Sequence, residues 1–249
     1  MTQRQINHIT VRSPRIEQPL TLALVSDLHD GPFEDVLPVL AKCDAILIVG
    51  DLVDRHSGGY LNAVRFLEMA PELAPTFYAL GNHERKFKRR DLYWPHVENS
   101  RVTVLDDSFT SFGGIVLGAL SSRRDAKAEI PFVAQMEKQP GFRLLMCHPP
   151  EYFRRHLLGR DIDLTIAGHA HGGQVRSGRQ GVYAPGQWLF PRLTSGFYFG
   201  DRLLVSRGMT NATWAPRINC PCELIVLHLA PAGEHTPENG GQRDESHPQ

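Results

Sequence analysis

The chain has little cysteine and no long apolar run, and each scarcity narrows its class. Four cysteines in 249 residues, Cys43, Cys147, Cys220 and Cys222, give no disulfide framework, and Cys220-Pro221-Cys222 lacks the two-residue spacer of half a zinc ribbon. They read as reduced thiols, two of them buried. The apolar runs stop at strand length, as from Ala45 to Val49, far below the roughly 18 residues that suggest a membrane span. The N-terminal MTQRQINHITVRSPRI likewise lacks the apolar core of a secretory signal. An excess of charge is missing too: 27 Lys plus Arg stand against 27 Asp plus Glu, so a nucleic acid or an anionic membrane would have to be met by a local patch. The cytoplasm is the expected compartment, with a peripheral position at a membrane left open.

With 41% apolar and 22% charged residues the chain can bury a sizeable core, which excludes disorder and collagen. Short apolar runs recur and end in polar clusters: LTLALV at Ser26-Asp27, AILIV at Gly50-Asp51, TFYAL at Gly81-Asn82, FRLLMC at His148 and DLTIA at Gly168-His169. Continuous rather than alternating runs suit strands covered on both faces. RVTVL, GGIVLGAL, RLLVSRG and ELIVLHL supply further strands, and helices are expected at 34–42, 60–69 and 151–158, the first weakened by Pro38. This alternation predicts an α/β or α+β layered domain over 1–230. The last stretch, 231–249, is rich in Pro, Gly and charge and reads as a disordered polar tail.

Five strand-like runs end in Asp, Asn or His, and ligands bind beyond the carboxyl ends of strands in open sheets. The residues so collected are Asp27 and His29, Asp51, Asn82 and His83, His148, and His169 and His171. A spacing of two puts both side chains of Asp27-x-His29 and of His169-x-His171 on one side of an extended segment. A lone histidine after a strand is more often a satisfied buried side chain, and a lone aspartate a helix cap, but such readings would have to recur at five strand ends. Imidazoles with two carboxylates, an amide and no thiolate suit Mn²⁺, Fe²⁺ or Zn²⁺ better than Ca²⁺ or Mg²⁺. Their number exceeds the needs of one ion and would serve two, clamping an in-line displacement at phosphorus.

Asp27-x-His29, Gly50-Asp51-Leu52-Val53-Asp54, Gly81-Asn82-His83-Glu84, His148 and Gly168-His169-Ala170-His171 resemble, in order and interval, the five motifs of the calcineurin-like metallophosphoesterases over residues 20–172. GHAHGGQ, followed by GFYFG and LLVSRGM before ELIVLHL, further resembles the bacterial phosphodiesterase branch that includes UDP-2,3-diacylglucosamine hydrolase-like enzymes. The resemblance implies a four-layer α/β/β/α sandwich of two mixed sheets. It also implies one metal held by Asp27, His29, Asp51 and His171 and a second by Asp51, Asn82, His148 and His169, with Mn²⁺ first and Fe or Zn²⁺ as alternatives. A hydroxide bridging the two ions would attack phosphorus. His83, taken to point away from Asn82 along an extended segment, would protonate the leaving oxygen or stabilise its charge; Asp54 would orient that ring, and Arg55 would hold phosphate oxygens. A structural histidine or a third ligand is the plainer reading of His83.

The expected activity is metal-dependent hydrolysis of a phosphodiester or pyrophosphate, preferred over a monoester, on a small-molecule or lipid-linked substrate. A nuclease or cyclic-nucleotide phosphodiesterase is the alternative, and a catalytically silent metal-binding scaffold for a protein partner is the rival from another class. Five cations in the RKFKRR run at 85–90 could attract phosphate-rich substrates or simply be solvated, and no stable nucleic-acid partner is expected. The aromatic stretch WLFPRLTSGFYF at 188–199 reads as core packing beneath the sheet, with an apolar groove or membrane contact as the other choice.

Overall fold

A computed structural model describes residues 4–122, 131–178, 180–211 and 216–233. One six-stranded sheet consists of β1 (Gln5–Ser13), β2 (Leu20–Val25), β3 (Ala45–Val49), β4 (Thr76–Ala79), β5 (Thr103–Leu105) and β16 (Glu223–Pro231), in the order β1-β16-β2-β3-β4-β5. Only the β16–β2 pair is antiparallel. The second sheet consists of β6 (Ser108–Phe112), β7 (Ile115–Leu120), β8 (Phe142–Cys147), β9 (Leu164–Ala167), β14 (Gly196–Tyr198) and β15 (Leu203–Val205), in the order β14-β15-β9-β8-β7-β6. Two small hairpins, β10 (Arg176–Ser177) with β11 (Gln180–Gly181) and β12 (Tyr183–Ala184) with β13 (Trp188–Leu189), lie between β9 and β14 in the chain.

The continuous apolar runs are explained by cover on both faces. Leu22, Leu24, Leu47 and Val49 of the first sheet meet Leu117, Leu144, Met146 and Ile166 of the second in a shared inner core. Ala23, Val25, Ile46 and Ile48 face outward onto α2 (Leu61–Leu73) and α4 (Arg90–Asn99) through Phe66, Leu67, Tyr93 and Val97. On the far side, Val116, Leu120, Leu145 and Cys147 pack on α5 (Pro131–Met136) and on a π-helical turn, Phe153–Leu157. The period-2 alternation of each strand thus serves two cores, giving the expected four layers. All four cysteines are buried and free.

The expected helix at 34–42 is split into a 3-10 turn, Glu34–Val36, and one turn of α-helix, α1 (Leu37–Leu40), because Pro38 is tolerated only in a first turn. The helix expected at 60–69 is α2, and that at 151–158 narrows to the π-helical turn. The last strand carries the chain through Pro231, and 234–249, most of the expected tail, lies outside the described residues. Among the described residues no helix is long and apolar enough to cross a membrane.

Core packing fails as the reading of the aromatic stretch at its start. Phe197 and Tyr198 do pack against the inner and outer cores, but Trp188, Leu189 and Phe190 lie on the surface. Their hairpin belongs to neither sheet, so no second layer covers it.

Candidate metal centre

The carboxyl ends of β2, β3 and β4, parallel in one sheet, and of β8 and β9, parallel in the other, converge on one locus. Asp27, His29 and His171 form one group of mutually close ligand atoms, and Asp51, His148 and His169 another. The convergence does not come from extended backbone. Asp27, His29, Asp51, His169 and His171 all lie in the left-handed region, with φ between +47° and +66°. Such turns are uncommon for residues with side chains and collect at functional sites. Each turns the chain sharply just past its strand, so Asp27 and His29 meet although Leu28 between them is buried. Gly81 makes room, since a Cβ there would fall 2.1 Å from Asp51 Oδ1.

The first group has the spacing of a coordination polyhedron. His29 Nε2 and His171 Nε2 are 3.3 Å apart, and Asp27 Oδ1 lies 3.7 and 3.6 Å from them. Metal–ligand bonds of about 2.1 Å place neighbouring ligand atoms roughly 3.0–3.4 Å apart, so these atoms need little movement to share one cation. In the second group, His148 Nδ1 donates to Val49 O at 2.7 Å, which leaves Nε2 as the inward-facing nitrogen. That Nε2 is 2.9 Å from Asp51 Oδ2, off the line of a hydrogen bond. Among the described residues, His148 Nε2 and Asn82 Oδ1 are buried with no hydrogen-bond partner. A buried amide oxygen without a partner, beside an inward imidazole nitrogen and two buried carboxylates, fits a cation that completes it. The residues present therefore suit divalent metal binding.

Electrostatics agree. Burial would raise both aspartates, but His171 and His29 hold Asp27, and His148 and His83 hold Asp51, below the usual carboxylate range. Burial would lower His148, yet Asp51 and Asp27 push it up to about 10, whereas burial takes His169 down to about 4 and His171 to about 3. Without a cation, a proton on His148 supplies part of the positive charge the carboxylates demand. Metal uptake is therefore expected to release about one proton, and apparent affinity to rise about tenfold per pH unit through neutrality. Calorimetric titration in buffers of different ionisation enthalpy measures that proton; a binding enthalpy independent of the buffer would refute it.

His83 opens a short helical turn, α3 (Asn82–Arg85), rather than continuing an extended segment, and so faces the centre. Its Nδ1 accepts the Arg55 N–H at 3.2 Å, lies 3.2 Å from His29 Nδ1, and its Nε2 is 3.9 Å from Asp51 Oδ2. Asp54 Oδ1 stands 3.6 Å from His83 Nδ1, while the Asp54 carboxylate accepts the N–H groups of His56 and Ser57 and closes its own loop. The Arg55 side chain bonds His56 Nε2 at 3.2 Å. Asp30, next to His29, turns outward and caps α2 by accepting the N–H groups of Asn62 and Ala63. The 85–90 run is partly committed: Arg85 pairs with Asp106 and Ser121, Phe87 is buried, and Arg90 covers Trp94.

Glu84 carries a role that was not read from its motif. It is 1% exposed, and its carboxylate accepts the N–H groups of Gly81 (2.8 Å), Asp51 (3.0 Å), Leu52 (2.6 Å) and Val53 (3.3 Å). One side chain thereby ties the loop after β3 to the loop after β4. The clue in the sequence was a carboxylate immediately after two candidate site residues. In Glu84→Gln the amide NH₂ would face two of these donors, at a cost of about 2–3 kcal/mol. A drop of about 5–10 °C in melting temperature is expected by calorimetry, and an unchanged melt would refute the clamp.

A family model described as calcineurin-like phosphoesterase matches residues 20–173, which hold every residue of the two groups. The chain belongs to that family. Among similar proteins is the uncharacterized metallophosphoesterase Cj0846 of Campylobacter jejuni, 29% identical, with 90% of this chain and 63% of that protein covered. The chain thus spans under two thirds of that relative's length. Protein YpbG of Bacillus subtilis is 27% identical, over 85% of this chain and 81% of that one, and phosphodiesterase YaeI of Escherichia coli is 26% identical, over 85% and 82%. Membership of this family and the buried His/Asp cluster together fit divalent-metal binding at this locus.

Proposed function

We propose that the chain hydrolyses a phosphodiester or pyrophosphate with two divalent cations, Mn²⁺ first among them, on a small-molecule or lipid-linked substrate. The observation that carries this reading is a pair of ligand groups only a side chain apart. Asp51 lies in the second group and within 4.0 Å of His29 of the first, so one carboxylate can be shared. Asp27, His29 and His171 would hold one ion, and His148, His169 and Asn82 the other. Two cations so held would polarise phosphoryl oxygens and lower the pKa of a water between them.

The chain's own residues do the rest. Val49 O fixes the tautomer of His148, and the His169 N–H donates to Asp27 at 3.1 Å, joining the two sheet ends. Because His83 Nδ1 accepts the Arg55 N–H, its proton resides on Nε2, the nitrogen toward Asp51. That N–H is placed to donate to an oxygen leaving phosphorus. Similarity to phosphodiesterase YaeI of Escherichia coli supports a diester over a monoester.

The test compares hydrolysis of bis-p-nitrophenyl phosphate and p-nitrophenyl phosphate by chelator-stripped protein before and after Mn²⁺ is restored. Metal-restored turnover favouring the diester is expected. Two bound ions without turnover on either ester, or on lipid and nucleotide pyrophosphates, would favour the silent scaffold.

A further inference from the structure

The β12–β13 hairpin carries a feature the metal centre does not use. Trp188, Leu189 and Phe190 are 76%, 65% and 68% exposed, three consecutive large apolar side chains in water. Their presentation is built into the backbone: Trp188 and Phe190 both adopt the left-handed region, at φ +62° and +53°, which bulky residues rarely enter. The base beneath them is locked. Gln187 Nε2 donates to Leu193 O at 2.7 Å, its Oε1 accepts the N–H groups of Arg192 and Leu193, and the Phe190 N–H donates to Val182 O at 2.9 Å. A rigid base under an uncovered apolar tip marks an interaction surface.

Exposed cations flank the hairpin in the chain and on the neighbouring turn. Arg192 follows it in the chain and is exposed, as are Arg154 and Arg155 on the π-helical turn. That turn is next to the hairpin, since a Cβ on Gly186 would lie 2.5 Å from Glu151 Oε1, just before the turn. The same position would be 3.3 Å from His169 Nε2, so the hairpin also borders the metal centre.

We propose that this tip docks the protein on an anionic lipid surface, with Trp188, Leu189 and Phe190 entering the interface and Arg154, Arg155 and Arg192 meeting headgroup phosphates. Three side chains are too few for the roughly 800 Å² per partner of a stable protein interface. In a bilayer interface, by contrast, each aromatic and each cation contributes on its own. Docking is read without turnover, so it stands or falls apart from the proposed activity.

The experiment uses the full chain with vesicles of phosphatidylcholine alone or mixed with phosphatidylglycerol. Co-sedimentation is expected with the mixed vesicles, weakened by salt, together with a blue shift of tryptophan emission that Trp188→Phe removes while binding is kept. The triple variant Trp188→Ser, Leu189→Ser, Phe190→Ser is expected to lower partitioning at least about tenfold with an unchanged melting temperature. Neutralising the three arginines, each Arg→Gln, is expected to abolish the preference for phosphatidylglycerol. Failure of the unmodified protein to sediment with mixed vesicles, or equal sedimentation of the triple serine variant, overturns the proposal. So does a dimer that the serine variant breaks, seen without vesicle binding, which would assign the tip to a second copy.

Discussion

Asp51→Asn is expected to lower phosphoester hydrolysis at least about a thousandfold and to leave the purified protein depleted of metal. The substitution isolates charge. Asparagine tolerates the left-handed φ of +56° at this position and can keep the 2.8 Å bond from the His83 N–H, so the backbone has no reason to move. What disappears is the negative charge 2.9 Å from His148 Nε2 and within 4.0 Å of His29, the charge by which one side chain serves both ligand groups. Elemental analysis and turnover on bis-p-nitrophenyl phosphate measure the two effects together. Full metal content with near-normal turnover would remove Asp51 from the centre.

His83→Ala is expected to separate the same two readouts, keeping metal while turnover falls by about 10²–10⁴. His148→Ala, with its orphaned inward nitrogen, should lose metal instead. His83 also lies in a group with His29 and Asp51 close enough to hold an ion, so a metal-free His83→Ala protein would make it a ligand. Burial, against the pull of Asp51, holds the His83 imidazole down at about 4, and bound cations would push it lower still. It is therefore neutral at pH 7, and in the proposed reaction it would serve through its N–H rather than as an imidazolium acid. The pH–rate profile should show no limb near 6.5 that His83→Ala abolishes; such a limb would reverse the assignment.

The strand ends and the layering were legible because they rest on short-range rules: apolar runs of five or six residues stopped by Asp, Asn or His. Turn geometry was not, because Asp and His enter the left-handed region more often than most residues yet nothing in the local sequence marks Asp27, His29, Asp51, His169 and His171 as doing so. That is why extended spacing, though it collected residues that converge on one locus, gave the wrong reason for their meeting and turned His83 away from that locus, which it faces. Glu84 was hidden for a related cause, since its four N–H partners come from two loops some 30 residues apart in the chain. β1 escaped notice as an edge strand whose outward residues are polar, and α4 because Pro95 and a weak apolar stripe obscure its period. The exposed tip could not be told from core by composition, as aromatic residues look alike in either place.

The position of β16 bears on how the molecule comes to be made. This strand, Glu223–Pro231, is inserted between β1 and β2, antiparallel to one and parallel to the other. During synthesis β1 and β2 emerge well before β16 and have no mutual pairing to make, so both wait, an edge of each open, until some two hundred residues later the strand that joins them leaves the ribosome. Closure of the first sheet is thus a late, long-range event of the kind that slows folding and exposes unpaired edges. A nascent or truncated chain lacking β16 would hold the loops after β2, β3 and β4 on a sheet still open beside β2, and should be a target for chaperones rather than a smaller stable domain.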